Sequence, residues 1–392
     1  MTYPTIRPSL NFDFQNSKLL DPRIEFSRSS TATYVEGGVV KTASSNVARF
    51  EKQGLLLEEE RTNAIYPSII PTTSTDKVLV NDASLTASSG TAPDGSNDAT
   101  LFDVDSGSGS NRFYVFTGGV VQDEVYSIYI KSNSSDAAFG MRFSGSYVSS
   151  SGNNDVLYTF STGTLSGDFY DEYPDKVSLE SLANGWFRLV LTNKVNTTSS
   201  SGAYLQTRDS VGEILVWGFQ REVGTDVTSH IPTTSSTVTR SADQAKISGD
   251  EFSSWFNENE GTLIINATNV EEGNYVSALT SGTTGTPDTL ALYRKDNDEW
   301  RAYNTAQVTF TSTDSDANSA LAYSVSDTTR TASAAWKGSL VSNVPTDTSS
   351  IAFTSLQIGT GPKTVGHSNG HVSKLSYYDR QLSDAELEKI TS

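Results

Sequence analysis

Along most of the chain apolar and polar residues alternate every second position, the period of a strand with one face on a core. Leu10-Asn11-Phe12-Asp13-Phe14 and Thr31-Ala32-Thr33-Tyr34-Val35 show it early, separated by turn signals at Asp21-Pro22 and Gly37-Gly38. Val125-Tyr126-Ser127-Ile128-Tyr129-Ile130-Lys131 reads as a half-buried strand, as does Trp186 to Thr192 after the Asn184-Gly185 turn, and Glu213 to Gln220. Gly261 to Ala267 resumes the pattern after Asp250 to Phe256, a stretch suited to a helical turn or two. Helical spacing with start signals occurs near the end, where Ser383 as N-cap and Glu386 three residues on form a capping-box pattern before Leu387 and Ile390 and predict a helix over 383–390.

These patterns predict an all-β protein: an extended N-terminal arm over 1–66, a β-sandwich of jelly-roll type over 67–233, a second sandwich over 240–392, and a short C-terminal helix. The Thr/Ser-rich run Thr233 to Thr239 has little to bury and marks the boundary between the sandwiches. No sequence period supports a solenoid, and no coiled-coil or collagen-like shaft precedes the sandwiches. In the arm, Ser27-Arg28-Ser29-Ser30 is too polar for a core, and its hydroxyls suit a turn.

The chain has 392 residues, long enough for two or three cores. With 46 acidic against 28 basic side chains its formal charge is −18, and no basic cluster breaks that background. Nucleic acid and anionic membrane surfaces are therefore disfavoured as partners. There is no cysteine, so disulfides, thiolate nucleophiles and cysteine-ligated zinc are excluded. The N-terminal MTYPTIRPSLNFDF has neither the basic start nor the apolar run of a secretory leader, and no stretch is apolar enough to span a bilayer as a helix. Synthesis in a cytoplasm is expected.

Candidate chemistry is sparse. Glu58, Glu59 and Glu60 follow three leucines, and on a strand Glu58 and Glu60 would share a face, the starting requirement for a glycosidase carboxyl pair. Arg61 could neutralise one of them, and a structural role is the simpler reading. His367 and His371 have the spacing of a helical metal pair, but Ser368-Asn369-Gly370 between them reads as a turn, and His230 reads as packing. Asp314-Ser315-Asp316-Ala317-Asn318 matches the first three ligand positions of an EF-hand loop; the Gly position is Ser319 and the closing Glu position Val325, so calcium stays open as a cofactor with no site assigned. Phosphate-loop, nucleophile-elbow and dinucleotide motifs are absent. No catalytic residue is assigned. For sugar binding, Tyr293, Trp300 and Tyr303 surround a polar turn containing Asp296 and Asp298, and these five are the candidate ligand-binding residues; the alternative is that the aromatics pack the sandwich.

The succession Phe26 to Tyr34, Gly37-Gly38, Ala48-Arg49-Phe50 and Gly54 to Asn63 resembles the tail-associated and other virion surface proteins of bacteriophages in which a short arm precedes a carbohydrate-binding-module-like sandwich. Asn184 to Arg188 and Val216 to Gln220 through Thr233 look like closing strands of such a sandwich, and Trp336 to Ser339 with Gly370 to Leu375 and Tyr378 to Leu387 is similar to laminin-G or concanavalin-A-like domains. The resemblance implies a structural protein at the virion surface, a tail fibre, spike or similar appendage. Its arm would bind other virion proteins and its lectin-like sandwich host surface glycans, without catalysis. Weak single sugar sites are commonly offset by multivalency, so a homo-oligomer, a trimer first, is expected. The alternatives are a capsid decoration, collar or baseplate component binding only virion proteins, and a glycan depolymerase.

Overall fold

The computed structural model describes residues 7–69, 79–80, 83–104, 110–115, 123–134, 138–144, 155–193, 202–208, 212–282, 289–295, 299–303, 307–312, 314–326, 329–346, 353–362 and 366–392. The all-β expectation holds: the strands pair antiparallel, and helices are short. The chain divides into two compact units. A middle unit comprises Ala32–Thr42 and Arg61–Arg240; a flanking unit comprises Met1–Thr31, Ala43–Glu60 and Ser241–Ser392.

In the middle unit, one sheet runs in the order Val177–Ser181, Phe187–Asn193, Glu124–Ser132, Gly212–Val223, Ala99–Val104, Ala83–Gly90. The second runs Thr164–Ser166, Asp155–Thr159, Ala138–Ser144, Gly202–Arg208, Ser110–Val115, Leu79–Val80. Tyr126, Ile128 and Ile130 from the first meet Phe139, Met141 and Leu205 from the second in one core, as their alternation requires. Glu124–Ser132 was expected to be half-buried, yet Val125, Ser127 and Tyr129 on its other face are buried too. At Tyr129 a second cluster explains this: Tyr129, Trp186, Leu215 and Trp217 are covered by Val40 and Ala92. His230 lies against it, its ring 4.6 Å from Trp217 and 5.9 Å from Tyr129.

The flanking unit also has two sheets. Ser339–Thr346, Thr329–Trp336, Ala317–Ser326, Glu260–Thr268, Gly370–Tyr378, Gly54–Leu57 and Arg49–Glu51 follow one another in the first, with Leu10–Asp13 also paired to Gly370–Tyr378. The second runs Glu25–Ser27, Gln244–Ser248, Ser355–Ile358, Tyr275–Thr280, Thr289–Lys295, Glu299–Tyr303, Gln307–Thr311. Phe12, Leu55, Leu57, Leu263, Ile265, Leu279, Leu292, Trp300 and Leu356 share the core between them. The C-terminal helix spans Asp384–Thr391, with the Ser383 amide and hydroxyl both donating to the Glu386 carboxylate at 2.9 Å.

The first 66 residues do not form a separate arm. Leu10–Asp13, Glu25–Ser27, Arg49–Glu51 and Gly54–Leu57 are strands of the flanking unit's own sheets, and 32–42 and 61–66 belong to the middle unit. The physical reason is apolar burial: Leu10, Phe12, Phe14, Ile24, Leu55 and Leu57 all enter the flanking unit's core. The chain passes from the middle unit back to the flanking one between Arg240 and Ser241.

Candidate functional site

The site begins at Gly249–Ser253, a helix of barely more than one turn extended by bonds from Ser254 N–H to Asp250 O and from Phe256 N–H to Phe252 O. Helical spacing puts Phe252, Trp255 and Phe256 on one side. Phe252 and Phe256 stack with centroids 4.5 Å apart, Trp255 sets its edge against Tyr377 at 4.8 Å, and Phe353 approaches Phe256 at 6.1 Å. Beyond Phe256 the chain turns sharply. Asn257 fixes that turn: its N–H donates to the Tyr377 hydroxyl at 3.2 Å, its Nδ2 to the Asp379 carbonyl at 2.7 Å, and its Oδ1 accepts from the Asn259 N–H at 3.0 Å. Burial pushes the Tyr377 hydroxyl up to about 12, so it stays a neutral donor and acceptor to the segment it holds.

The result is a cleft of about 590 Å³ lined by the segment Phe252 to Asn259 with Phe353 and Asp379. Its aromatic side is half-buried at Phe256 and buried at Phe252, Trp255 and Phe353. Among the described residues, the side-chain heads of Glu258, Asn259 and Asp379 make no hydrogen bond or ion pair, and no basic residue lines the cleft. An apolar surface next to uncommitted carboxylates and a carboxamide can hold a ligand that is apolar on one face and carries hydrogen-bond donors around its edge. The sequence reading missed this cleft. Its signal was present in Asp250 to Asn259, where an apolar i, i+3, i+4 triplet runs directly into Asn-Glu-Asn.

The five residues picked from sequence lie elsewhere in the flanking unit or outside the description. Trp300 is a core side chain, 1% exposed, with its indole Nε1–H donating to the Asp314 carbonyl at 2.9 Å, so it cannot serve as an exposed sugar platform. It faces inward because alternation along Glu299–Tyr303 puts it with Ala302 on one side of the strand and Arg301 on the other. Tyr293 is half-buried and stacks on Tyr275 at 5.1 Å, on a strand paired with Glu299–Tyr303. Tyr303 ends that strand, and Asp296 and Asp298 lie outside the described residues.

Other candidates resolve into structure. Glu58 is buried and ion-paired to Arg49 at 2.7 Å; Arg49 also pairs with Asp243, which in turn accepts from Arg28 at 3.0 Å and from the Glu58 N–H at 2.9 Å. Arg28, expected in a polar surface turn, is thus buried, because this carboxylate and the Ser30 and Ser44 carbonyls satisfy its guanidinium. The serine hydroxyls beside it, expected to bond neighbouring backbone, reach a distant segment instead: Ser29 shares a hydrogen bond with Ser241, and Ser30 accepts from the Ser241 N–H. His371 Nε2 meets Glu51 at 2.9 Å. Asp314 pairs with Lys337 and accepts from the Asp316 N–H, while Asp316 accepts from the Asn269 N–H, so these EF-hand-like carboxylates are committed to protein partners inside and outside their turn. Among the described residues no group of three or more His, Asp or Glu could hold a metal, and no helix is long and apolar enough to cross a membrane.

No family model and no curated protein matches the chain. Among solved structures it is similar to a CBM40 module of Ruminococcus gnavus IT-sialidase bound to α2,3-sialyllactose, at 18% identity over 36% of this chain and 88% of that one, with a TM-score of 0.26. It is also similar to the N-terminal CBM22 tandem domain of a Paenibacillus barcinonensis protein, at 11% identity over 81% and 95% of the two chains with a TM-score of 0.26. A third is Trypanosoma rangeli sialidase in complex with sialic acid, at 9% identity over 92% and 76% with a TM-score of 0.28.

Proposed function

We propose that the protein is a non-enzymatic glycan-binding protein of a virion surface, and that it takes a sugar residue in the cleft around Phe256. The observation that carries the glycan reading is the pairing, in that cleft, of the half-buried Phe256 ring with the uncommitted heads of Glu258, Asn259 and Asp379. Sugars present just such a surface, one C–H face and a periphery of hydroxyls. The virion placement is supported by the likeness of residues 26–63 to bacteriophage surface proteins. Weak single sites of this kind gain from repetition, which supports a homo-oligomer, with a trimer first. Contact with other virion proteins through the N-terminal residues belongs to the same reading, although those residues are strands rather than a free arm.

Screening the full-length protein on a glycan array and on host cells tests the first half. Binding is expected, and Asn259→Ala should reduce it while leaving the melting temperature unchanged. No binding to any glycan at high valency would sink the glycan reading. Immunogold labelling of particles tests the second half: gold at fibres or spikes agrees with adhesion, gold on shell or collar favours an adaptor that binds only virion proteins, and absence from particles removes the virion placement.

A further inference from the structure

We propose that the cleft selects sugars bearing a free ammonium group, glucosamine-type residues, over their N-acetylated and anionic counterparts. This rests on the glycan reading of the same cleft and goes further by fixing the class of ligand. The argument is one of donor and acceptor supply. Ser253 and Ser254 spend their hydroxyl protons on the Asp250 and Glu251 carbonyls, at 3.2 and 2.9 Å, and so present only lone pairs to a ligand. Glu258 and Asp379 are exposed carboxylates that make no ion pair among the described residues, the neighbouring Arg380 being paired with Glu386, and ionised carboxylates only accept. The Asn259 carboxamide has donors as well as an acceptor, and Asn257 keeps one Nδ2 hydrogen beyond the one it gives the Asp379 carbonyl, so donors at the rim are few.

The rim is therefore rich in acceptors and negatively charged, and a ligand must bring donors and positive charge to match it. An ammonium supplies three donors and the complementary charge. An N-acetyl group supplies one N–H and adds a carbonyl that finds few donors, and a sugar carboxylate meets Glu258 and Asp379 with like charge. One donor is left over in the wall: the Trp255 Nε1–H is buried and has no acceptor among the described residues. That atom is closed off from the cleft, so the selectivity rests on the rim alone.

The test is calorimetric titration of the full-length protein in mildly acidic buffer with three probes: a glucosamine trisaccharide, the same trisaccharide fully N-acetylated, and sialyllactose. The first should bind, the second more weakly and the third not at all. Glu258→Gln and Asp379→Asn, both at exposed positions, should each weaken the first by about twofold to fivefold, the range of one exposed ion pair. Glu60→Gln, an exposed carboxylate outside the cleft, should leave it unchanged. Equal or tighter binding of the N-acetylated probe, or equal losses with Glu60→Gln, would overturn the selectivity and leave the glycan reading standing. Failure of the glucosamine probe while other glycans bind on the array would overturn it too; failure of every glycan removes the reading beneath it.

Discussion

Three consecutive glutamates end in three different environments. Glu58 is buried against Arg49, Glu59 is half-buried with its N–H donating to Asn369 Oδ1 at 2.7 Å, and Glu60 is exposed. Strand alternation would have set Glu58 and Glu60 alike; the strand ends at Leu57, and the buried arginines decide instead. Replacing Glu58 by Gln removes one charge from a buried network and leaves Arg49 undercompensated, so unfolding free energy should fall by about 3–5 kcal/mol. Urea denaturation checks this, and an unchanged midpoint would contradict the network's structural role. His230 makes the converse case. Both its ring nitrogens are buried without a partner among the described residues, and burial, helped by the Arg188 guanidinium, pushes its imidazolium down from the ordinary 6.5 to about 3. The fold accepts only the neutral ring, so its contribution is complete above the unfolded value. It is lost as pH falls from about 6.5 toward 3, at about 1.4 kcal/mol per pH unit. His230→Leu should flatten that part of the stability profile relative to the parent, measured by denaturation at stepped pH.

Gly54–Leu57 shows how a short strand is specified. Leu55 and Leu57 enter the core, Leu56 is buried outside it, and Gly54 has φ +136° where an added Cβ would fall 2.3 Å from the Val372 carbonyl oxygen. Gly54→Ala would strain the backbone and push this strand off Gly370–Tyr378, with a loss well above 1 kcal/mol expected in thermal or urea unfolding. Strands such as Glu124–Ser132 and Glu260–Thr268 and the capped helix Asp384–Thr391 were legible because their signals are local: period two, or a serine three residues before a glutamate. What stayed hidden was the second layer over Tyr129 and Trp217, since alternation describes one buried face and is silent about a neighbour that buries the other. The cleft was hidden for a related reason, because Phe353 and Asp379 reach it from far along the sequence.

Across the whole chain, the misjudged segment was the first 66 residues. Short polar-flanked strands separated by turns look alike whether they hang free or complete a sheet, and only their partners, far later in the chain, distinguish the two: Leu10 pairs with Tyr377, Phe26 with Ala245 and Leu57 with Gly370. A fragment of residues 241–392 should therefore fail to fold alone. It lacks four strands of its sheets and both arginines that compensate Asp243. Far-UV circular dichroism and cooperative melting of that fragment would decide it, and a sharp transition would show the N-terminal strands to be dispensable. The same interleaving sets a timetable for the growing polypeptide. Every segment of the middle unit precedes residue 241, so that unit can close while the ribosome is still adding the last segment of the flanking one. At about 5–20 residues per second, Leu55 and its neighbours wait roughly 15–60 s for their strand partner to emerge. During that interval their apolar edges need shelter, and for a protein made in many copies at once, access to a holdase should govern yield more than final stability does.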